Sequence, residues 1–240
     1  MDRQPFIEVL NRHAQDFSPV VAFDHTKEKL SLFDFTDNKE ISSQLLDDVK
    51  KFTGYVNQKL NAAAAKFGIG GYNEKREVYS RSKLFSSPLN SQSANEEGEP
   101  RRIHLGIDIW GKPYTAVRAP LDGIVHSFAF NNNFGDYGAT MILTHNLEGY
   151  SFHTLYGHLS LNSIKNLHEG NNVRKGDVIA EFGIPFENGQ WPPHLHFQII
   201  IDMGDWRGDY PGVCAESERE KYLANCPDPD LILRMMKYTS

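Results

Sequence analysis

Apolar positions change their spacing twice along this chain. Between residues 38 and 67, Ile41, Leu45, Val49, Phe52, Val56 and Leu60 recur on one face of a helical repeat. The spacing predicts one long amphipathic helix. Asp37 stands where it can cap that helix, with Glu40 three residues later as in a capping box, and Gly68, Gly70 and Gly71 stand where they can end it. Ahead of it, residues 6–13 predict a short helix, and residues 20–23 and 30–33 brief extended pieces. From residue 103 the spacing shortens. Strands are expected at 115–118, 124–130, 139–145, 150–156, 178–182 and 195–201, with hairpin loops at 131–133 and 147–149. After Gly204 the chain turns polar, and residues 215–226 and 231–236 predict short helices.

Many short strands joined by glycine-rich turns give a mainly β fold, an antiparallel sheet or sandwich. The expected organisation is a mostly helical N-terminal arm (1–85), a polar loop or linker (86–102), a β core (103–204) and a C-terminal cap (205–240). The arm reads most simply as packing against the core, because an apolar helical stripe must be buried somewhere.

Composition narrows the classes. Of 240 residues, 40% are hydrophobic and 23% charged, which is ordinary for a soluble globular chain. Lys and Arg number 25 against 31 Asp and Glu, a net charge of -6, and such a surface disfavours general binding to nucleic acid or to anionic membranes. No apolar run is long enough to span a bilayer. The opening residues Met1-Asp2-Arg3-Gln4-Pro5-Phe6 show no basic region followed by an apolar one, so a cytoplasmic location is expected. The two cysteines, Cys214 and Cys226, form no C-x-x-C pair and read as reduced structural thiols. A bridge between them would need an oxidising compartment. The sequence leaves the oligomeric state open.

Candidate chemistry centres on Trp191-Pro192-Pro193-His194-Leu195-His196-Phe197-Gln198, which runs into Ile199-Ile200-Ile201. On a strand, positions i and i+2 share a face, so His194 and His196 point one way, Leu195 and Phe197 the other. Two histidines so placed are either hydrogen-bonded structural groups or metal ligands, neutral imidazole being a good zinc ligand. Upstream stands His104-Leu105-Gly106-Ile107-Asp108. A helix would put both end residues on one face, but Gly106 and the flanking isoleucines disfavour it. A strand end bent at Gly106 lets imidazole and carboxylate converge instead. His, Asp and His with one open position is the pattern of a catalytic zinc. A further motif, Tyr156-Gly157-His158-Leu159-Ser160, closes a predicted strand, where a water-exposed histidine is the plain alternative. The other six histidines match no ligand spacing.

In order, H-x-G-x-D, Y-G-H-L-S and P-H-L-H-F resemble the lysostaphin/LytM-type zinc metallopeptidases, and the resemblance covers roughly residues 103–201. It extends through Ala119-Pro120-Leu121-Asp122-Gly123-Ile124-Val125, Tyr137-Gly138 and residues 169–180. The resemblance implies a barrel-sandwich-type β core, one zinc per chain held by His104, Asp108 and His196, and hydrolysis of amide bonds in peptides or peptidoglycan fragments. It makes His158 and His194 the pair that handles protons and charge. His194 is the candidate general base, and His158 stabilises the oxyanion or protonates the leaving amine. These two roles are interchangeable at this stage.

Most of that family acts outside the cytoplasm, which is the alternative location. Family members can also be held latent by a propeptide asparagine on the metal, which makes Asn73 a candidate fourth ligand. Asn73, Glu74 and Trp191 are accordingly candidate substrate or occluding contacts, against the simpler reading that residues 68–85 only pack. Trp191 replaces the small residues usual before H-x-H, and Gln198 stands where glutamate is common. The tail, with Pro211-Gly212-Val213 and Cys226-Pro227-Asp228-Pro229, is similar to a subgroup found in intracellular multidomain proteins with kinase-like and aminotransferase parts.

Three rivals stand beside the hydrolase. A lipoyl- or biotinyl-type carrier fits residues 119–125 and 173–179 but needs a lysine turn not seen here. A histidine phosphocarrier does not need Asp108. A metal-binding module without catalysis is the third.

Overall fold

The computed structural model describes residues 3–36, 41–86 and 98–239. Among these, twelve strands carry the architecture: β1 (Leu30–Leu32), β2 (Phe67–Gly70), β3 (Arg101–His104), β4 (Ile107–Trp110), β5 (Ala116–Arg118), β6 (Gly123–Asn131), β7 (Gly138–Leu147), β8 (Tyr150–Leu159), β9 (Asn172–Val173), β10 (Val178–Glu181), β11 (His194–Ile200) and β12 (Val213–Ala215). Eight form one sheet in the order β1-β2-β4-β11-β8-β7-β6-β9, and two pairs, β10-β5 and β12-β3, stand apart from it. Every pairing is antiparallel except β1 with β2. The fold is therefore mainly β, built on a large antiparallel sheet as the sequence predicts. No described helix is long and apolar enough to cross a membrane.

The long central strands follow from their sequences. β7 and β8 alternate in burial toward the hairpin that joins them and are buried at their other ends, residues 138–143 and 154–159, and it is β8 that pairs with β11. All seven residues of β11 are buried, as a central strand covered on both faces requires. Leu195, Phe197 and Ile199 enter the main core with Ile107, Ile109, Tyr156 and Phe182. Complete burial of such side chains contributes about 1.5–3 kcal/mol each, which offsets the cost of carrying the polar residues His194, His196 and Gln198 on the other face.

The arm differs from its expectation. The helix expected over 38–67 is two helices, α2 (Ser43–Leu46) and α3 (Val49–Ala62), behind a short N-terminal α1 (Arg3–Arg12). Asp48 caps α3, accepting from the backbone N–H groups of Lys50 and Lys51. The expected cap at Asp37 and its partner Glu40 lie outside the described residues, as does most of the polar stretch at 91–100. Gly68 and Gly70 do not stop a helix. They belong to β2, where the ring and carbonyl of Phe33 occupy the space a side chain would need. The arm thus adds two strands to the sheet as well as helices. Its aromatic and aliphatic residues Phe33, Phe35, Phe52, Val56 and Leu60 form a second core with Trp110, Trp191 and Val213.

At the other end, Val213–Ala215 pairs with β3, a strand the sequence pattern did not indicate. The helix expected over 215–226 is a 3-10 turn (Glu216–Glu218) followed by α4 (Arg219–Asn225). The last expected helix is α5 (Asp230–Leu233) with a 3-10 turn at Met236–Tyr238. Cys214 and Cys226 are both buried and free.

Candidate metal centre

Register places the site. β4 and β11 run antiparallel with Asp108 opposite His196 and Trp110 opposite His194, while His196 faces Gly157 across β8. β3 ends at His104, the chain bends through Leu105 and Gly106, and β4 starts at Ile107. That bend folds His104 back over its own neighbour strand, as the spacing predicted. The bend also passes close to the imidazole of His196: a side-chain carbon at Gly106 would lie 2.5 Å from that ring.

One ligand atom from each of His104, Asp108 and His196 lies within 4.8 Å of the others, and all three residues are buried. His104 Nε2 is 2.9 Å from His196 Nδ1, and Asp108 Oδ1 is 3.3 Å from the former and 3.2 Å from the latter. The opposite ring nitrogens fix the tautomers. His104 Nδ1 lies 2.9 Å from the carbonyl oxygen of Gly71, which can only accept, so Nδ1 carries the proton and Nε2 is bare. Gln198 Nε2 donates to the carbonyl of Pro211, so its Oε1 faces His196 Nε2 at 2.9 Å and accepts from it. His196 Nδ1 is therefore bare too. Two nitrogen lone pairs and a carboxylate oxygen converge on one point, a donor set that repels itself unless a cation sits among it. The residues present fit a zinc ion.

The electrostatics agree. Burial pushes the His104 pKa down to about 3, so the ring stays neutral and able to ligate. Burial alone would raise Asp108, but its pKa lies well below the usual carboxylate range, and with His104 neutral the Arg76 guanidinium on Oδ2 is the charge that keeps it ionised.

His158 and His194 flank this trio. His194 stacks on Trp110 at 4.0 Å and lies 4.1 Å from the ring of His158, with its Nε2 3.9 Å from Asp108 Oδ1. Each donates Nδ1–H to a backbone carbonyl at 2.8 Å, His158 to Asn188 and His194 to Pro192, which leaves Nε2 unprotonated in the neutral ring. Burial, foremost, lowers both pKa values, His194 to about 4, so both rings are neutral bases near neutral pH. His158 holds a left-handed backbone, φ +62°, at the end of β8. Such a conformation costs a non-glycine residue about 1–3 kcal/mol and here aims the ring into the site.

A cleft of about 180 Å³, open to solvent, runs over these groups. Trp191 lines it together with Trp110, Tyr79, Phe35 and Tyr137. The indole N–H groups of Trp110 and Trp191 are buried and have no hydrogen-bond partner among the described residues.

Asn73, named as a candidate fourth ligand, points elsewhere. Its Oδ1 accepts from Arg219 Nε at 2.8 Å. Glu74 is turned to the backbone of Phe35 and to Arg76. The residue that enters the site from this turn is Arg76, whose Nη1 lies 2.5 Å from Asp108 Oδ2. Sequence reasoning missed it, because Glu74-Lys75-Arg76-Glu77 looks like a solvated charge run. It also missed that Gln198 orients His196.

Known proteins share part of this sequence: the model of peptidase family M23 matches residues 102–206, somewhat under half of the chain. It is 30% identical over 156 residues to a Haemophilus influenzae protein described as an uncharacterized metalloprotease, covering 62% of this chain and 30% of that protein. It is 32% identical over 130 residues to the L-Ala–D-Glu endopeptidase of Bacillus subtilis, covering 51% of this chain and 37% of that one. The chain thus spans about a third of the length of these curated relatives. Among solved structures, the catalytic domain of the antimicrobial peptidase lysostaphin from Staphylococcus simulans is similar at a TM-score of 0.36 and 19% identity, over 70% of this chain and 97% of that one.

Proposed function

We propose that this chain is a zinc-dependent metalloendopeptidase that hydrolyses amide bonds in short peptides of the peptidoglycan type. The observation that carries the reading is the pair of bare imidazole nitrogens, His104 Nε2 and His196 Nδ1, facing each other beside Asp108 Oδ1. One zinc per chain would be held by these three atoms. Zinc, when bound, supplies the Lewis acidity that polarises a carbonyl and makes water nucleophilic at neutral pH.

The chain's own residues do the rest. His194 Nε2, bare and on the metal-facing side, takes the proton of the attacking water. His194 hands that proton on, and His158, its ring 4.1 Å away, receives it at its own bare Nε2 and delivers it to the leaving amine nitrogen. Their Nδ1–H bonds to the carbonyls of Pro192 and Asn188 keep both rings in the tautomer this exchange needs. Trp110 and Trp191 wall part of the cleft with apolar surface, which lowers the local dielectric and strengthens the charge interactions beside it. The substrate class follows the Bacillus subtilis relative, whose name specifies a peptide bond between L-Ala and D-Glu. A phosphocarrier reading is disfavoured, because a buried Asp108 carboxylate beside both imidazoles would repel a phosphoryl group.

Protein purified without added metal should contain about one zinc per chain by elemental analysis. Asp108→Ala should lose most of it while the sheet stays folded. The full chain should release new amines from peptidoglycan-derived peptides. A metal-free wild type that still cleaves them would overturn the reading.

A further inference from the structure

Arg76 is 1% exposed, and its guanidinium meets two carboxylates. Nη1 donates to Asp108 Oδ2 at 2.5 Å, and Nε donates to Glu74 Oε2. Glu74 is itself held, its Oε1 accepting from the backbone N–H groups of Phe35 at 2.6 Å and Thr36 at 3.2 Å. The guanidinium also lies over the ring of Phe35, 5.2 Å from its centroid. Arg76 is therefore fixed from behind by the arm and presents one N–H to one oxygen of Asp108. All of these holding groups lie outside the segment that matches the family.

The two oxygens of Asp108 consequently have separate tasks. Oδ2 is committed to Arg76, while Oδ1 faces His104 Nε2 and His196 Nδ1. A carboxylate with both oxygens free can close on a cation through both. One whose second oxygen is held by a charge-assisted bond must break that bond to do so. We propose that Arg76 is a positioning residue for the metal centre: it clamps Oδ2, so that Asp108 offers the metal Oδ1 alone and the remaining position stays open for water and substrate. This rests on the metallopeptidase reading above. It adds that the arm supplies part of the centre's outer sphere, Arg76 for Asp108 and the Gly71 carbonyl for His104.

The test uses the full chain loaded with zinc and, separately, with cobalt. X-ray absorption on the wild-type zinc protein should fit one carboxylate oxygen from Asp108, and a two-oxygen fit overturns the proposal. Arg76→Met should lower zinc affinity about 10–100-fold in chelator competition, and its cobalt form should absorb more weakly in the visible as the coordination number rises. Arg76→Lys, which keeps the charge but not the fork, should recover part of the affinity. Arg76→Met leaves Glu74 and Asp108 buried without their cation, so Glu74→Gln/Arg76→Met serves as the charge-balanced partner if the single variant does not fold. Unchanged affinity and an unchanged cobalt spectrum in the folded variant would overturn the role of Arg76 while leaving the hydrolase reading standing. A wild-type chain that binds no zinc would remove both.

Discussion

Gln198 Oε1 lies 2.9 Å from His196 Nε2, and this contact decides which nitrogen of His196 faces Asp108. The side-chain amide of Gln198 is itself oriented, because its Nε2 donates to Pro211 at 3.1 Å and approaches Cys226 Sγ at 3.3 Å. Pro211 precedes β12, so the strand that pairs with β3 also sets the amide that sets the imidazole. A residue two positions along β11 thus governs the ring that the centre uses.

Removing that amide should be felt at the metal. In Gln198→Leu the His196 ring can take either tautomer, and the Pro211 carbonyl loses its donor. Zinc affinity should fall about 10–100-fold. Stability should fall by about 1–3 kcal/mol for the unsatisfied groups. Chelator competition and urea denaturation measure the two separately, and unaltered zinc affinity would mean that Gln198 does not select the tautomer.

His158→Ala and His194→Ala should keep zinc and lose rate. Neither ring supplies an atom to the trio of bare donors, and each is held by a backbone carbonyl instead. A proton-transfer group contributes about 10²–10⁴-fold in rate, so turnover should drop by that order in each variant while elemental analysis still finds the metal. Loss of zinc from either would show that the ligand set has been drawn wrongly.

Sequence alone revealed the parts of this site whose logic is local. The two-residue repeat of a strand separates His194 and His196 from Leu195 and Phe197, and the structure sends the second pair into the core. The spacing across Gly106 gave the His104–Asp108 pair. The core strands came through for the same reason, since a two-residue period needs only neighbours to be seen. What stayed hidden is non-local. Arg76 acts on a carboxylate 32 residues away, and its own neighbours are charged. β2 hides behind two glycines whose meaning depends on Phe33. The apolar stripe that begins at Ile41 is cut by the Asp48 cap, which competes locally with a longer helix.

A buried histidine far from the metal should make stability depend on pH. His145 is 1% exposed, with Nδ1 2.8 Å from the Asp122 carbonyl and Nε2 2.7 Å from the Thr154 hydroxyl. Burial, foremost, lowers its pKa from 6.5 to about 4. Between those values the unfolded chain binds the proton and the folded chain does not, so stability falls as pH drops from about 6.5 toward 4. The full effect at this site is about 3 kcal/mol. Urea midpoints at pH 7 and pH 5 should differ more for the wild type than for His145→Gln, and equal pH slopes would contradict this assignment.

The arm is the strongest test of how the centre is built. The sequence offers residues 68–85 as a partly occluding wall of the cleft, against the simpler reading that they only pack, and with such a wall deletion of residues 1–85 is expected either to raise activity on small peptides or to destabilise the fold. The structure favours the second outcome. β2 pairs with β4 from Gly68–Trp110 to Gly70–Asp108, so its loss opens the edge of the strand that carries Asp108. All four residues of β4 are buried, and an exposed apolar edge is a template for aggregation. Phe33, Phe35, Phe52, Val56 and Leu60 leave with the arm, which strips Trp110 and Trp191 of their packing. The Gly71 carbonyl that fixes His104 and the Arg76 that holds Asp108 leave too. Residues 86–240 expressed alone should therefore be insoluble or melt without cooperativity, and should bind zinc far more weakly than the full chain. Solubility, thermal circular dichroism and chelator competition measure these three outcomes. A soluble, cooperatively folded fragment with wild-type zinc affinity would show that the arm is an appendage.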